Sequence, residues 1–478
     1  MNETSPKEFR GPTSPLPHDT GIVLPCYEGA DGRATELTFS NAELCRSILL
    51  LGSTGAGKTT ALRAICRSLI RQQASDAASK PALVLFDFKG DRQTVDAVTA
   101  WAAQAGREDD VRELSLSSGH AYDFLGGFSG LIDVQEYAER LQFGCGSTNQ
   151  RDTFWDEYRS GLFVTALAFS DLLQLPRDFP AWTTQAASWL LADTPTAPQS
   201  KALLEFERIV DALPPSAPGW AVAQFAKSTM KDWEGGLDPR TRSNVRATMA
   251  NALRPLLDPK VQHLCRASGA GYVNIAEAIA QGQIVLVSIP SLLNPNLARL
   301  IGKALKADFY KAVFSRCDGP GTRHRLAVLV ADEYHLSATV GGGLFDDAAA
   351  LPLIRGFGAG VVAATQTLAN LDYAIGLGAR NVLLPNFNSV FFFRNAETET
   401  ARWASGLMGT REFEVEVRVK DRDQGLFSGS SREKVIVRRV ERPVCTLAEL
   451  SRLEPGQAFI HRQFDTSPMG PVWLAEGE

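Results

Sequence analysis

Residues 47–70 of the chain read SILLLGSTGAGKTTALRAICRSLI. The apolar run 48–51 is typical of a buried β-strand, and the residues from 58 to about 70 predict a helix. The glycine-rich turn between them would let successive backbone N–H groups point inward at the positive end of that helix, an arrangement that binds phosphate. The stretch therefore predicts a nucleotide-binding loop on an α/β sheet.

The turn fits the pattern G-x-x-x-x-G-K-[ST] of phosphate-binding loops. In such a loop Lys58 would reach the β- and γ-phosphates of the nucleotide, and the Thr59 hydroxyl would bind Mg²⁺. The residues predicted to surround the nucleotide are Gly52, Ser53, Thr54, Gly55, Ala56, Gly57, Lys58, Thr59 and Thr60.

A second apolar run, LAVLVA at 326–331, leads directly into two carboxylates, Asp332 and Glu333. Carboxylates at the end of a buried strand are costly unless a cation or a reaction requires them. Together with the phosphate loop, Asp332 is predicted to hold Mg²⁺ through its water shell, and Glu333 to be the general base that polarises the attacking water. The alternative is an exposed Asp-Glu pair that merely begins a loop.

A third strand is predicted at 360–364, followed by Thr365 and Gln366. A glutamine at the tip of the strand beside the phosphate loop can hydrogen-bond to both the γ-phosphate and the attacking water, so Gln366 is predicted to sense the bound nucleotide. The alternative is that Gln366 only caps a buried strand. Upstream, Arg355 lies near the end of an apolar helix, where it either only complements the helix dipole or reaches the γ-phosphate of a neighbouring subunit.

The rest of the chain predicts one parallel α/β sheet, covered on both sides by helices and interrupted by a helical insertion. The insertion is predicted because no clear strand occurs there, whereas helix-like stretches and Pro-rich breaks do. Near the end, FEVEVRVK and EKVIVRRV alternate and flank a Gly/Ser-rich turn, which predicts a hairpin. The predicted division is a flexible arm at 1–20, the nucleotide-binding domain in two parts at 21–141 and 258–478, the second part carrying the hairpin, and the all-helical insertion at 142–257.

Composition excludes several classes of protein. The 49 basic and 54 acidic residues give a net charge of −5, so a nucleic-acid partner would have to meet local basic patches. Candidates are Lys89 and Arg92 in FKGDR and Arg240, Arg242 and Arg246 in DPRTRSNVR, the alternative for each being solvated surface. The seven cysteines include no Cys-x-x-Cys pair, which argues against a disulfide framework or a zinc site and favours a cytoplasmic setting. No apolar run approaches ~18 residues, so no membrane span is predicted.

Taken in order, several motifs resemble one known family. They are LLLGSTGAGKTT, FDFKGD, VADEYHL, RGFGAGVVAATQTLANL, NVLLPNFNSVFFFRNAETETARWASGLMG and RPVCTLAELSRLEPGQAFI. Together they look like the coupling ATPases of conjugation and type IV secretion, the TraG/TraD kind, within the FtsK–HerA translocases. That resemblance implies a RecA-like P-loop domain with an inserted all-helical domain, ATP and Mg²⁺ as ligands, and six copies ringed around a channel through which DNA is driven.

The resemblance also bears on single residues. Lys58, Thr59, Asp332, Glu333 and Gln366 keep the roles predicted above, and Arg355 matches the arginine that acts in trans on a neighbouring subunit. Arg46 matches a second candidate arginine, its alternative being an ordinary surface residue. Membrane-bound members of the family begin with transmembrane helices, so this chain is expected to be a soluble relative or to dock to a separate membrane partner.

The expected function is that of an oligomeric, Mg²⁺-dependent ATPase that couples hydrolysis to translocation of DNA or a nucleoprotein. Two alternatives stay open. The chain could be a module that uses ATP binding to assemble with a nuclease or toxin partner, as in genome defence, or it could be an ATPase that secretes protein substrates.

Overall fold

A long mixed β-sheet runs through the protein in the computed structural model. The structure describes residues 21–28, 33–72, 80–125, 128–145, 153–175, 182–183, 197–232, 238–253, 257, 259–265, 271–293, 295–316, 324–340, 346–422, 431–463 and 469–474. The predicted flexible arm at 1–20 lies outside these residues.

The secondary structure of the described residues consists of fifteen strands and sixteen helices, besides short 3₁₀ turns. The strands are β1 (Ile22–Glu28), β2 (Arg33–Phe39), β3 (Ile48–Leu51), β4 (Ala82–Asp87), β5 (Val111–Ser115), β6 (Ala121–Tyr122), β7 (Tyr272–Val273), β8 (Ile284–Ser288), β9 (Ala327–Ala331), β10 (Ala359–Thr365), β11 (Ser389–Phe393), β12 (Thr410–Arg422), β13 (Ser431–Pro443), β14 (Gln457–Arg462) and β15 (Met469–Leu474). The helices are α1 (Asn41–Leu44), α2 (Lys58–Arg71), α3 (Arg92–Gln104), α4 (Val134–Cys145), α5 (Thr153–Leu172), α6 (Ala197–Ala212), α7 (Trp220–Lys231), α8 (Pro239–Leu253), α9 (Pro259–Leu264), α10 (Ile275–Gln281), α11 (Pro295–Phe314), α12 (Asp347–Ile354), α13 (Leu368–Ile375), α14 (Leu377–Leu383), α15 (Thr398–Met408) and α16 (Leu447–Arg452).

Eleven of the described strands form the central sheet, in the order β2-β1-β15-β14-β11-β3-β10-β9-β4-β8-β5. From β11 to β5 all neighbours are parallel, whereas β14, β15, β1 and β2 continue the sheet in antiparallel pairs. The predicted mainly parallel α/β sheet is therefore confirmed. The antiparallel extension was not predicted; it pairs β1 with β15, which lie far apart in the chain.

Six of the seven parallel strands are buried on both faces, as their continuous apolar sequences require, whereas the edge strand β5 is only partly buried. One face packs against α2 and α3 through side chains such as Ile65 and Val98. The other face packs against α11 and α12, and this second core continues into the helices that follow β6. Two cores thus hold the carboxyl ends of the parallel strands in fixed positions along one edge of the sheet.

A helical region interrupts the sheet between β6 and β7, which pair in parallel as a separate two-stranded sheet. The helices of this region run from α4 to α9, and α4 lies along α11, where Lys311 Nζ is 2.6 Å from Glu136 Oε1. The described helices of this region begin and end outside the predicted limits of 142–257.

The predicted hairpin corresponds to β12 and β13, two antiparallel strands of 13 residues each that form a sheet of their own. Both strands are longer than the alternating sequence indicated. Within the residues that the structure describes, no helix has the length and apolar character needed to cross a membrane.

Candidate nucleotide-binding and catalytic site

The predicted site residues converge where the parallel strands end. The phosphate loop follows β3, Asp332 and Glu333 follow β9, and Gln366 follows β10, which lies between β3 and β9. Because the carboxyl ends of parallel strands meet at one edge, this edge is where ligands bind in open α/β sheets. Residues that are up to 314 positions apart in the chain thereby face one another.

Two of the loop glycines lie so close to other parts of the chain that a side chain would not fit there. Gly57 is the N-cap of α2 with φ 107°, and a Cβ there would lie 2.7 Å from Gly456 N. A Cβ on Gly52 would lie 2.5 Å from Phe393 Cβ. Ser53 N donates to the Arg394 carbonyl at 2.8 Å, so the end of β11 also supports the loop. The loop is thus held against β11 and the turn before β14, regions far along the chain.

Replacement of Gly57 by Ala is expected to destabilise the fold by about 2–5 kcal/mol, because a left-handed non-glycine residue costs about 1–2 kcal/mol and the clash with Gly456 about 1–3 more. Gly55→Ala is the matched control: φ is 74° there too, but a Cβ would meet nothing within 4 Å. Denaturant unfolding of both variants measures the difference. Equal destabilisation would contradict the packing argument.

Lys58 lies at the start of α2 and is buried, with 6 % of its surface exposed. Its Nζ donates to the Gly52 carbonyl at 2.6 Å and to the Ser53 carbonyl at 3.1 Å. Burial lowers the pKa of Lys58, and the carboxylates of Glu333 and Asp332 oppose that effect. The ammonium group therefore lies inside the loop, surrounded by carbonyl oxygens that a phosphate could replace.

An oxygen of Thr59 and one of Asp332 lie close enough together for one small cation to contact both. Thr59 Oγ1 donates to Asp332 Oδ2 at 3.1 Å. The Lys89 ammonium lies 2.8 Å from Thr59 Oγ1 and 2.6 Å from Asp332 Oδ2, which shows that a positive charge fits between them. Hard oxygen ligands, one of them a carboxylate, suit Mg²⁺, which usually takes one or two carboxylates and completes its shell with water and substrate phosphates. Thr59 and Asp332 therefore fit the predicted metal.

The turn after β4 presents Lys89 to this site. Asp87, which is buried, accepts hydrogen bonds from the backbone N–H groups of Lys89 at 3.1 Å and Asp91 at 2.9 Å. Burial raises the pKa of Asp87, although these two N–H donors oppose the shift. Gly90 has φ 66° and lies against Pro290. Lys89 was a candidate for DNA contact from the sequence; the structure instead directs its ammonium to Asp332.

Glu333 adopts an unusual backbone conformation, with φ 53°, which few non-glycine residues adopt without cost. Gln366 Nε2 donates to Glu333 Oε1 at 3.2 Å, and His335 Nδ1 lies 3.6 Å from Glu333 Oε2. Burial lowers the pKa of His335. Glu333 Oε2 is buried and makes no hydrogen bond to any described residue, so it has an acceptor left for a water. His335 was not predicted as a site residue; its position two residues after Glu333 in DEYH was the available signal.

Arg46 and Arg355 lie at the opposite edge of the sheet from the phosphate loop. Arg46 precedes β3 and Arg355 precedes β10, and the seven residues of β10 alone span about 23 Å. Burial and then the charge of Arg355 lower the pKa of Arg46, and the charge of Glu43 opposes this effect. Arg355 is exposed and donates no side-chain hydrogen bond to a described residue. The structure therefore separates both arginines from the Lys58 site of the same chain.

The sheet and the loop after β3 together form a RecA-like P-loop fold. The unbound bacterial conjugative coupling protein TrwB lacking its first 70 residues shares this fold, with a TM-score of 0.62, 18 % identity and coverage of 92 % of this chain and 86 % of that chain. The plasmid coupling protein TrwB in complex with ADP and Mg²⁺ has a TM-score of 0.59 and 18 % identity, with coverage of 92 % of this chain and 89 % of that chain. Its complex with the ATP analogue ADPNP has a TM-score of 0.58 and 19 % identity, with coverage of 91 % of this chain and 85 % of that chain.

A sequence similarity points to the same group of proteins. Residues 348–455, which include Arg355 and Gln366, match the family model TraG-D_C, described as the TraM recognition site of TraD and TraG. No curated protein matches the chain significantly. The resemblance to the TraG/TraD kind of coupling ATPase, first indicated by the motifs, is confirmed by this match and by the shared fold.

Proposed function

We propose that the chain is a Mg²⁺-dependent ATPase that acts as a homo-oligomer and couples ATP hydrolysis to movement of DNA or a nucleoprotein. The observation that carries this proposal is the convergence of Lys58, Thr59, Asp332, Glu333 and Gln366 at one edge of the sheet. The nucleotide and Mg²⁺ named for the TrwB complexes support the choice of ligands. The match to TraD and TraG supports transport of DNA.

In the proposed mechanism, the loop N–H groups and Lys58 bind the phosphates and hold the γ-phosphate in line for attack. Mg²⁺, held by Thr59 and Asp332, would neutralise charge that develops on the phosphate oxygens. Glu333 orients the attacking water and accepts its proton at Oε2, the oxygen that has an unused acceptor. Gln366, already hydrogen-bonded to Glu333 Oε1, orients the same water and responds to loss of the γ-phosphate.

The positions of Arg46 and Arg355 support action between subunits. Both guanidinium groups lie on the edge away from Lys58, where they cannot stabilise charge on the same protomer's nucleotide. The charge of Arg355 lowers the pKa of Arg46, and an anion near both guanidinium groups would favour their charged forms. A nucleotide held by an adjacent protomer supplies such an anion, so each complete catalytic site would need two subunits. A hexameric ring, as the family resemblance implies, meets this requirement for every site.

Steady-state ATP hydrolysis tests the proposal, measured at several protein concentrations with and without single- and double-stranded DNA. We expect the specific rate to rise with protein concentration, because sites form between subunits, and to rise several-fold further with DNA. The rate of ATP hydrolysis measured with Glu333→Gln serves as the background. A hydrolysis rate that does not change when DNA is added would contradict the proposal of a DNA translocase. It would favour an assembly module or a protein-secretion ATPase. A specific rate that is independent of protein concentration down to the monomer would contradict sites shared between subunits.

A further inference from the structure

A buried ion pair lies next to the segment that follows β9, the strand that leads into Asp332 and Glu333. It takes no part in the mechanism described above. Lys306 on α11 and Asp347 at the start of α12 are 1 % and 0 % exposed, and Lys306 Nζ lies 2.6 Å from Asp347 Oδ2. Tyr310, also on α11, donates its hydroxyl to Asp347 Oδ1 at 2.6 Å. A buried ion pair is weak evidence for stability, because desolvation costs about as much as the attraction returns. Its position suggests another role.

Lys306 also holds the segment that carries the general base. Its ammonium donates to the Ser337 carbonyl and to Thr339 Oγ1 at 3.0 Å, and it lies 5.7 Å from the ring centroid of Tyr334, the residue that follows Glu333. Thr339 N donates in turn to Asp347 Oδ2 at 2.8 Å. One lysine thus joins the residues after the base to the first residue of α12.

Helix α12 connects this network to Arg355. The helix spans Asp347–Ile354, about 12 Å, and Arg355 is its C-cap. The far end is held by the same supporting element, because Arg316, just beyond α11, donates to the Phe357 carbonyl at 3.0 Å. Phe314 at the end of α11 stacks edge-to-face on Phe357, with ring centroids 5.5 Å apart. Both ends of the segment that carries Arg355 are therefore fixed to α11.

We propose that the Lys306–Asp347 pair is a positioning device that fixes Arg355 relative to Glu333, so that a rearrangement of the Glu333 segment at one nucleotide site moves the arginine presented to the neighbouring site. The inference rests on the proposed function, in which Arg355 acts in trans. It adds a physical route by which one site would set the activity of the next. The route consists of a few contacts between buried side chains, and the structure describes every residue that makes them.

A complementation assay separates positioning from a merely structural role. One protomer carries Arg355→Ala and keeps an intact Glu333; this acceptor lacks only the arginine that it would offer to a neighbour. The other carries Glu333→Gln and keeps Arg355; this donor has no base of its own. Each protein alone is expected to be inactive. A mixture regains ATP hydrolysis wherever the donor's Arg355 completes an acceptor site.

Asp347→Asn is then added to one protomer at a time. In the donor it is expected to reduce the regained activity about ten- to a hundredfold, because misplacement of a catalytic group by ~1 Å has an effect of this size. In the acceptor it is expected to change activity less than about twofold, because Lys306 still holds Ser337 and Thr339 there. Equal losses in both protomers, or no loss in the donor, would overturn the inference.

Tyr310→Phe is the milder second variant, since it removes only the hydroxyl that donates a hydrogen bond to Asp347. It is expected to reduce the regained activity several-fold when placed in the donor, and to change it less when placed in the acceptor. Lys311→Met is the matched control. Lys311 is also on α11, but it pairs with Glu136 on α4, and among the described residues this pair has no connection to the segment that carries Arg355. Unfolding midpoints and nucleotide affinity are measured for every protein to exclude misfolding. A parental mixture that regains no activity would contradict the trans role of Arg355 itself, and so the proposed function as well.

Discussion

Glu333→Gln is expected to lower kcat for ATP hydrolysis by about 10³-fold, within the range found when a general base is removed. Glutamine has nearly the same shape and keeps an oxygen that can accept the hydrogen bond from Gln366 Nε2. It cannot accept a proton from water at neutral pH. The loss should therefore fall on the chemical step, whereas nucleotide affinity should change little, because Lys58 and the loop N–H groups are untouched.

Single-turnover hydrolysis and binding of a fluorescent nucleotide, measured in parallel, check this expectation. Glu108→Gln is a suitable control, because Glu108 is exposed in a 3₁₀ turn away from the site. We expect this control to match the unmodified protein in both measurements. If Glu333→Gln kept more than about a tenth of the rate, the base would have to be another group, since a base contributes at least about 10²-fold.

Arg355→Ala is expected to lower kcat by about 10³-fold or more, the effect of removing an arginine that acts in trans on phosphoryl transfer. Arg355→Lys should restore little, because an ammonium group cannot form the two parallel hydrogen bonds that a guanidinium offers. Nucleotide affinity of the isolated protomer should stay unchanged, since Arg355 lies on the edge away from Lys58. Arg46→Ala is expected to reduce kcat as well, because Arg46 is the second cation of the pair.

The mixing assay with Glu333→Gln shows whether the Arg355 defect is complemented by another subunit. Arg71→Ala serves as the control: Arg71, at the end of α2, is paired with Gln104 Oε1 at 2.7 Å and is not predicted to act in catalysis. If Arg355→Ala were as active as the control, the arginine would only complement the dipole of α12, the alternative that the sequence left open.

Local sequence determined the phosphate loop and the acid pair. The predicted strand at 48–51 is β3 as observed, and the helix predicted from 58 to about 70 is α2 with one residue more. These predictions succeed because an apolar run, glycines that allow a left-handed turn and a helix start form one continuous segment. Gln366 was found in the same way, as the polar end of an apolar strand.

Five strands of the sheet were not predicted, namely β1, β2, β5, β14 and β15. Their sequences are not continuous apolar runs: β2, β5 and β14 carry several polar residues, and Pro25 and Pro471 lie within β1 and β15, where proline weakens the strand pattern. The pairing of β1 with β15 joins residues that are more than 400 positions apart, such as Cys26 and Leu474. No local signal in the sequence records such a contact.

By itself the sequence determined which chemistry the chain can perform, because phosphate binding and water activation need particular residue types in short, fixed spacings. The tertiary structure alone decided where the cations lie. It directs Lys89 to Asp332, places Arg46 and Arg355 before β3 and β10 on the far edge, and buries Lys306 against Asp347. Each of these charges interacts with a group that is distant in the chain, and Coulomb interactions depend on distance in space rather than along the sequence.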